Sequence, residues 1–170
     1  VTDHPDQIVL RSARGDDAEA VGRTWAEGWR DGHVGHVADA LVAIRTDEAF
    51  LARTRRRIAE TDDTTVAVRG DEVVGFVMLN ADEVEQVYVA DSARGSGVAA
   101  ALLDEAERQV RAAGHRAAWL AVVAGNARAR RFYEKRGWWD AGAFDYEAAG
   151  VDGPILVPSH RYEKRLDGYG

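Results

Sequence analysis

The spacing of apolar residues changes several times along the chain, and each change predicts an element. "IVLRSA" (residues 8–13) reads as a first strand, closed by "RGDD", where Asp16 or Asp17 suits a helix cap. Ala18, Val21, Trp25 and Trp29 then recur at intervals of three and four, the stripe of an amphipathic helix, until the glycines of "DGHVGH" interrupt it. "VADALVAI" and "DEAFLARTRRRIAE" predict two further helical pieces. From residue 64 the pattern turns strand-like: β-branched runs flank "RGDE", where Gly70 and Asp71 suit a hairpin turn, and a third strand follows "NADE". Val98, Ala99, Leu102, Leu103, Ala106 and Val110 return to a helical period that Gly114 stops. "AAWLAVV" is a strand-length run and "NARARRFYEKRG" a helix between Asn126 and Gly137. "WWDAGAFDYEA" and "HRYEKRL" predict two last strands, joined by "AGVDGPILVPS".

That order (strand, helices, three strands, glycine-rich loop, helix, strand, helix, two strands) predicts one mixed α/β domain over residues 1–170, without linker or repeat. The 46 % of hydrophobic residues is enough to fill its core. A net charge of −7 argues against nucleic acid and anionic membrane surfaces as partners and is compatible with a cationic small molecule. The absence of cysteine excludes disulfides, thiolate metal sites and a cysteine nucleophile. The opening residues carry no basic-then-apolar leader, and no stretch approaches a membrane span, so a soluble cytoplasmic protein is expected. His33 and His36 stand three apart without a partner at ligand spacing, and no metal is expected. The arginine run that starts at Arg53 reads as a solvated helix face.

The segment "RGSGVA" (residues 94–99) sits between a strand and a strong helix. Such a junction exposes unpaired backbone N–H groups at the positive end of a helix dipole, and glycines let an anion approach them. A tight turn before a well-capped helix is the plain alternative. A Walker loop is excluded, because no Gly-Lys-Ser/Thr follows at the required spacing. A dinucleotide fingerprint expects glycine where Ala100 stands.

"RGSGVA" resembles the acyl-CoA-binding motif of the GNAT acetyltransferases, Gln/Arg-x-x-Gly-x-Gly/Ala, with Arg94, Gly97 and Ala99 in the defining places. "NARARRFYEKRGW" is similar to that family's later motif, carried here by Asn126, Ala129, Phe132, Tyr133, Gly137 and Trp138. The family commonly has proline where Asp91 stands; that carboxylate is expected to face solvent or pair with a base. The resemblance implies the acyl-CoA N-acyltransferase fold, a mixed central sheet flanked by helices, and acetyl-CoA as cofactor. It places the pyrophosphate at Arg94, Gly95, Ser96, Gly97, Val98 and Ala99, and the pantetheine arm along Val87, Tyr88 and Val89, where an amide near Val87 or Tyr88 faces the thioester oxygen. Asn126, Ala129 and Tyr133 line the cofactor from the later helix. One of Arg128, Arg130 and Arg131 is expected to meet a phosphate, with Arg131 the candidate.

Acetyl transfer to an amine needs a neutral amine, a polarised carbonyl and a proton for the departing thiolate. Tyr133 is the candidate acid, almost two helical turns from Asn126 on one helix face. Glu83 and Glu85 are the candidate carboxylates for holding or deprotonating the amine, with water as the alternative base. In a regular strand both share a face with Val87 and Val89, opposite Val84, Gln86 and Tyr88. The expected activity is acetyl transfer to a primary amine of a small molecule or amino acid. The alternatives are a non-catalytic acyl-CoA-binding module, or transfer to a peptide or antibiotic or of a longer acyl group. Trp25, Trp29, His33, Trp138, Trp139 and "VDGPILVPS" are candidate walls for the acceptor. The aromatic C-terminal strands and the habit of related enzymes predict a homodimer.

Overall fold

The structure is a computed structural model that describes His4 and residues 6–168. Its elements follow the predicted order. They are β1 (Ile8–Ser12), α1 (Ala18–His33), α2 (Asp39–Ile44), α3 (Asp47–Glu60), β2 (Thr64–Arg69), β3 (Glu72–Asn80), β4 (Glu83–Val89), α4 (Val98–Ala112), β5 (Ala117–Val123), α5 (Ala127–Lys135), β6 (Trp139–Ala148) and β7 (Ile155–Arg165). The strands form one seven-stranded sheet in the order β1-β2-β3-β4-β5-β7-β6. Every neighbouring pair is antiparallel except β4 and β5, which the α4 crossover makes parallel.

Each face of the sheet has its own core. Leu102, Leu103, Ala106 and Val110 of α4 pack with Tyr133 of α5 on Val77, Val84 and Leu120. On the other face Val21, Trp25 and Trp29 of α1 and Phe50 of α3 cover Val66, Phe76 and Met78. The sheet is thus flanked by helices on both sides, as a mixed α/β architecture requires. No helix among the described residues is long and apolar enough to cross a membrane.

Three departures from the sequence reading have physical causes. Helix α1 runs through Gly32 to His33 instead of stopping at "DGH", because Gly32 is buried where an added Cβ would lie 2.9 Å from the Asn126 side chain. Asp17 does not cap α1: its carboxylate turns back to accept from Arg11 Nη1 and Nη2 and from the Arg14 amide. Strand β7 begins at Ile155, five residues before the predicted "HRYEKRL". Pro158 makes that segment look like a loop. The proline is tolerated because the β5–β7 ladder begins only at Ser159, and Pro158 takes part there through its carbonyl alone, accepting from the Ala124 amide.

Candidate active site

The site begins with one extra residue in β4. Val77 lies opposite Val87 and Met78 opposite Gln86, but Leu79 lies opposite Val84, so Glu85 has no partner on β3. This bulge resets the alternation. Val84, Val87 and Val89 all belong to the α4 side, whereas Tyr88 packs on the α1 side. The expectation that Glu83 and Glu85 share a face with Val87 and Val89 is therefore incorrect: Glu85 bonds Arg57 of α3, on the side of Tyr88. The bulged strand also leaves its neighbour. Glu83 opposite Trp119 is the one paired position between β4 and β5, and beyond it the two strands part.

Two cavities open where the strands part. The larger, about 640 Å³, lies between the glycine loop, the first turn of α4 and α5. Gly95 and Gly97 have φ of +74° and +83°, a left-handed backbone that only glycine adopts without strain. Added Cβ atoms there would meet nothing within 4 Å, so the glycines serve the backbone turn and leave the loop open. No side chain caps α4. The first intrahelical bond comes from the Ala101 amide, which leaves the amides of Val98, Ala99 and Ala100 free at the positive helix end.

Arg94 stands at this cavity, its Nη2 2.6 Å from Asp31 and 3.0 Å from Asp91. Asp91 thus pairs with a base, as expected. Ser96 does not line the cavity; its hydroxyl donates to the Ala93 carbonyl and closes the turn. Nor does Arg131, which points to solvent; Arg128 is the arginine of α5 at the cavity. Arg130 is occupied elsewhere, bonding Tyr162, Asp140 and the Ala124 carbonyl.

The smaller cavity, about 330 Å³, lies on the α1–α3 side. Glu83 and Glu85 line it, as do Trp25 and Trp29. Glu85 is held by Arg57 at 3.0 Å. Glu83 has one polar partner, the Tyr146 hydroxyl donating at 3.5 Å. Burial first, and the Glu85 charge second, push the Glu83 carboxyl up to about 7, against the pull of Tyr146. His33 stacks on Trp29, with Nδ1 2.8 Å from the Trp29 carbonyl. Burial pushes His33 down to about 4, so it is neutral at neutral pH.

Trp138 and Trp139 are not walls of this cavity. Trp138 is buried in the α4-side core, where its indole N–H donates to Glu107, and Trp139 is exposed on β6. Of "VDGPILVPS", Val157 and Ser159 reach the cavity. Arg45, Arg53 and Tyr146 also line it, and sequence reasoning missed them. Arg53 and Tyr146 stand on ordinary helix and strand faces and Arg45 between two helices, so none of the three carried a signal. Among the described residues no group of three His, Asp or Glu side chains is placed to hold a metal.

The two cavities meet at five residues: Val87 and Tyr88 of β4, and Asn126, Ala129 and Tyr133 at and within α5. Asn126 Oδ1 accepts from the Ala129 amide and caps α5, which fixes the helix against the gap. Tyr133 is 8 % exposed and its hydroxyl has no protein partner among the described residues. Burial raises its pKa, so the phenol stays protonated. The arrangement supplies an anion cradle, a proton donor and a half-ionised carboxylate around one gap.

Solved structures share the architecture. A GCN5-related N-acetyltransferase from Rhodopseudomonas palustris is 19 % identical over 94 % of this chain and 96 % of its own, with a TM-score of 0.72. A putative acetyltransferase from Salmonella typhimurium, solved with acetyl-CoA, is 18 % identical over 97 % of each chain, TM-score 0.68. An N-acetyltransferase from Thermoplasma acidophilum, solved with coenzyme A, is 20 % identical over 94 % of this chain and 99 % of its own, TM-score 0.65. No curated protein sequence matches. At these identities the likeness establishes the fold. The sequence profile described as the acetyltransferase (GNAT) family matches residues 36–138, from the loop after α1 through both motif segments to Trp138, and the chain therefore belongs to the GNAT family of acetyltransferases.

Proposed function

We propose that the chain transfers the acetyl group of acetyl-CoA to a primary amine of a small molecule by direct attack, with both substrates bound at once. The observation that carries this reading is the junction of the two cavities at Val87, Tyr88, Asn126, Ala129 and Tyr133, with Glu83 on one side and the glycine loop on the other. The free amides of α4 and the open, left-handed Gly95 and Gly97 fit a pyrophosphate. Family membership, and relatives solved with coenzyme A and acetyl-CoA, support that choice of anion.

When bound, acetyl-CoA supplies an activated thioester. The residues of this chain act around it. Amides of the glycine loop and α4, with Arg94 and Arg128 at the rim, hold the anionic end. The edge of β4 past Glu83, left unpaired by β5, offers backbone donors and acceptors to an extended chain. The carboxylate of Glu83 takes a proton from the acceptor's ammonium, directly or through water. Its pKa near 7 makes it a far better base than an ordinary carboxylate while half of it stays ionised at neutral pH. Glu85, tied to Arg57, raises Glu83 rather than acting itself. The hydroxyl of Tyr133 donates its proton to the sulfur as the carbon–sulfur bond breaks. The burial that weakens this phenol as an acid also strengthens a desolvated thiolate as a base, so the transfer stays near balance.

The test is thiol release from acetyl-CoA with a panel of amines, the acetylated product confirmed by mass. Release above the buffer rate with a matching N-acetyl product is expected for at least one class. Tight acetyl-CoA binding with no release for any amine would instead mark a binding module.

A further inference from the structure

Two guanidinium groups of the smaller cavity are not used by this chemistry. Arg45 follows the last turn of α2, and Arg53 lies in α3; both are half-buried and both line the cavity. Neither has a carboxylate within salt-bridge distance among the described residues. Arg45 donates one hydrogen bond, to the Ala149 carbonyl at 2.9 Å. Arg53 lies over the Trp25 ring, 4.8 Å from its centroid, and donates none among the described residues. Burial lowers the pKa of both, and the charge of Arg53 lowers Arg45 further. Desolvated cations without an anion are costly to keep.

The cavity's own carboxylates compensate them in part at most: the Glu85 charge raises Arg53 again, but burial outweighs it. Glu85 is itself engaged by Arg57, and Glu83 is half-protonated at neutral pH. Glu147 lines the cavity but sits on the exposed face of β6. The α2–α3 side of the cavity is therefore cationic, against the −7 of the whole chain. Glu83, beside Tyr146 in the same cavity, is where an ammonium finds a partner. Resting on the assignment of this cavity to the acceptor, we propose that the acceptor carries an anionic group on the same small molecule as its amine, a carboxylate first of all, and that Arg45 and Arg53 bind it.

An amino carboxylate gives the two guanidinium groups an anion and Glu83 an ammonium within one cavity, with Trp25 and Trp29 as apolar walls for its side chain. A simple amine leaves both guanidinium groups uncompensated, and a polyamine or aminoglycoside brings further cations beside them. The volume of about 330 Å³ is at the small end for ligand pockets and suits a molecule of amino-acid size.

The experiment has a binding arm and a turnover arm. The coenzyme A complex of the full chain is titrated calorimetrically with the twenty protein amino acids. The carboxamides and decarboxylated amines of leucine, methionine and phenylalanine are titrated alongside, with the aminophosphonate analogue of leucine to distinguish carboxylate from other anions. Thiol release from acetyl-CoA is measured on the same set. At least one amino carboxylate or the aminophosphonate is expected to bind 10- to 100-fold more tightly than its uncharged or decarboxylated counterpart, the worth of a charge-assisted hydrogen bond. In Arg45→Gln and Arg53→Gln, checked for folding by circular dichroism, that ratio collapses toward one, and Arg53→Lys recovers part of it.

Equal or better binding of the neutral counterparts, no binding by any amino acid or the aminophosphonate, or an unchanged ratio in both folded glutamine variants overturns the proposal. Selective, arginine-dependent binding without thiol release upholds the anion site and overturns the transferase reading instead.

Discussion

The ionisation of Glu83 is the most exposed part of the proposed mechanism, since its environment makes signed demands. With a pKa near 7, about a tenth of Glu83 is ionised at pH 6 and about nine-tenths at pH 8. If it is the base, kcat/KM climbs roughly tenfold per pH unit below pH 6 and levels off above pH 8. Glu83→Gln removes the base, lowering the plateau by roughly 10²–10⁴-fold and erasing that inflection. Two neighbours should move the inflection in opposite directions. Glu85→Gln removes a like charge and releases Arg57, so the inflection shifts toward acid. Tyr146→Phe removes the hydrogen bond that favours the ionised form, so it shifts toward alkali. The assay is kcat/KM from pH 5 to 9 with one acceptor throughout, so that the amine's own titration is common to every profile. Linkage supplies a second readout with a definite sign. A carboxyl raised by folding destabilises the native state as pH rises from its ordinary value through 7, so the melting temperature of Glu83→Gln gains on wild type over that interval. An inflection that stays fixed in both neighbour variants and survives in Glu83→Gln would refute the assignment.

Three further outcomes follow from the same geometry. Asp31→Asn removes a carboxylate that competes for Arg94 at the rim of the anion cradle, so coenzyme A should bind up to about fivefold more tightly by calorimetry, the exposed pair being worth little more. Gly28→Ala puts a Cβ 2.3 Å from Cδ1 of Tyr88; overpacking of this kind costs about 1–3 kcal/mol by chemical denaturation, and turnover falls as Tyr88 is displaced from the junction. The exposed edge strand β6, with Trp139 52 % exposed, supports the expected homodimer, so light scattering at micromolar concentration should give about twice the 18.6 kDa of the chain; a monomer mass counts against it.

Much of the fold was legible because its signals are local. The stripe of Val21, Trp25 and Trp29, the Gly70–Asp71 turn and the Asn126 cap each act within a few residues, and each appears where expected. The candidate site was legible where the backbone makes it, at Gly95, Gly97 and the head of α4. It was less so where register or burial decides. The bulge at Glu85 arises from pairing with β3 and leaves no mark in "EVEQVYV", so alternation misassigned the faces. Choosing between Arg128 and Arg131 required the rotation of α5 about its axis, and Ser96 was lost to a turn bond with Ala93. Arg53 looked like its neighbours in "RTRRRI"; only the approach of Trp25, from a different helix, distinguishes it.

The central claim, that transfer occurs where the two cavities meet, is tested most directly by a rapid-quench single turnover of acetyl-CoA in Tyr133→Phe. The substitution keeps the buried ring and its contacts with Phe132, Trp138 and Tyr162 while removing the Tyr133 hydroxyl from the junction. The transfer rate is expected to fall by roughly 10²–10⁴-fold with acetyl-CoA affinity little changed. A rate equal to wild type across the pH range would contradict it.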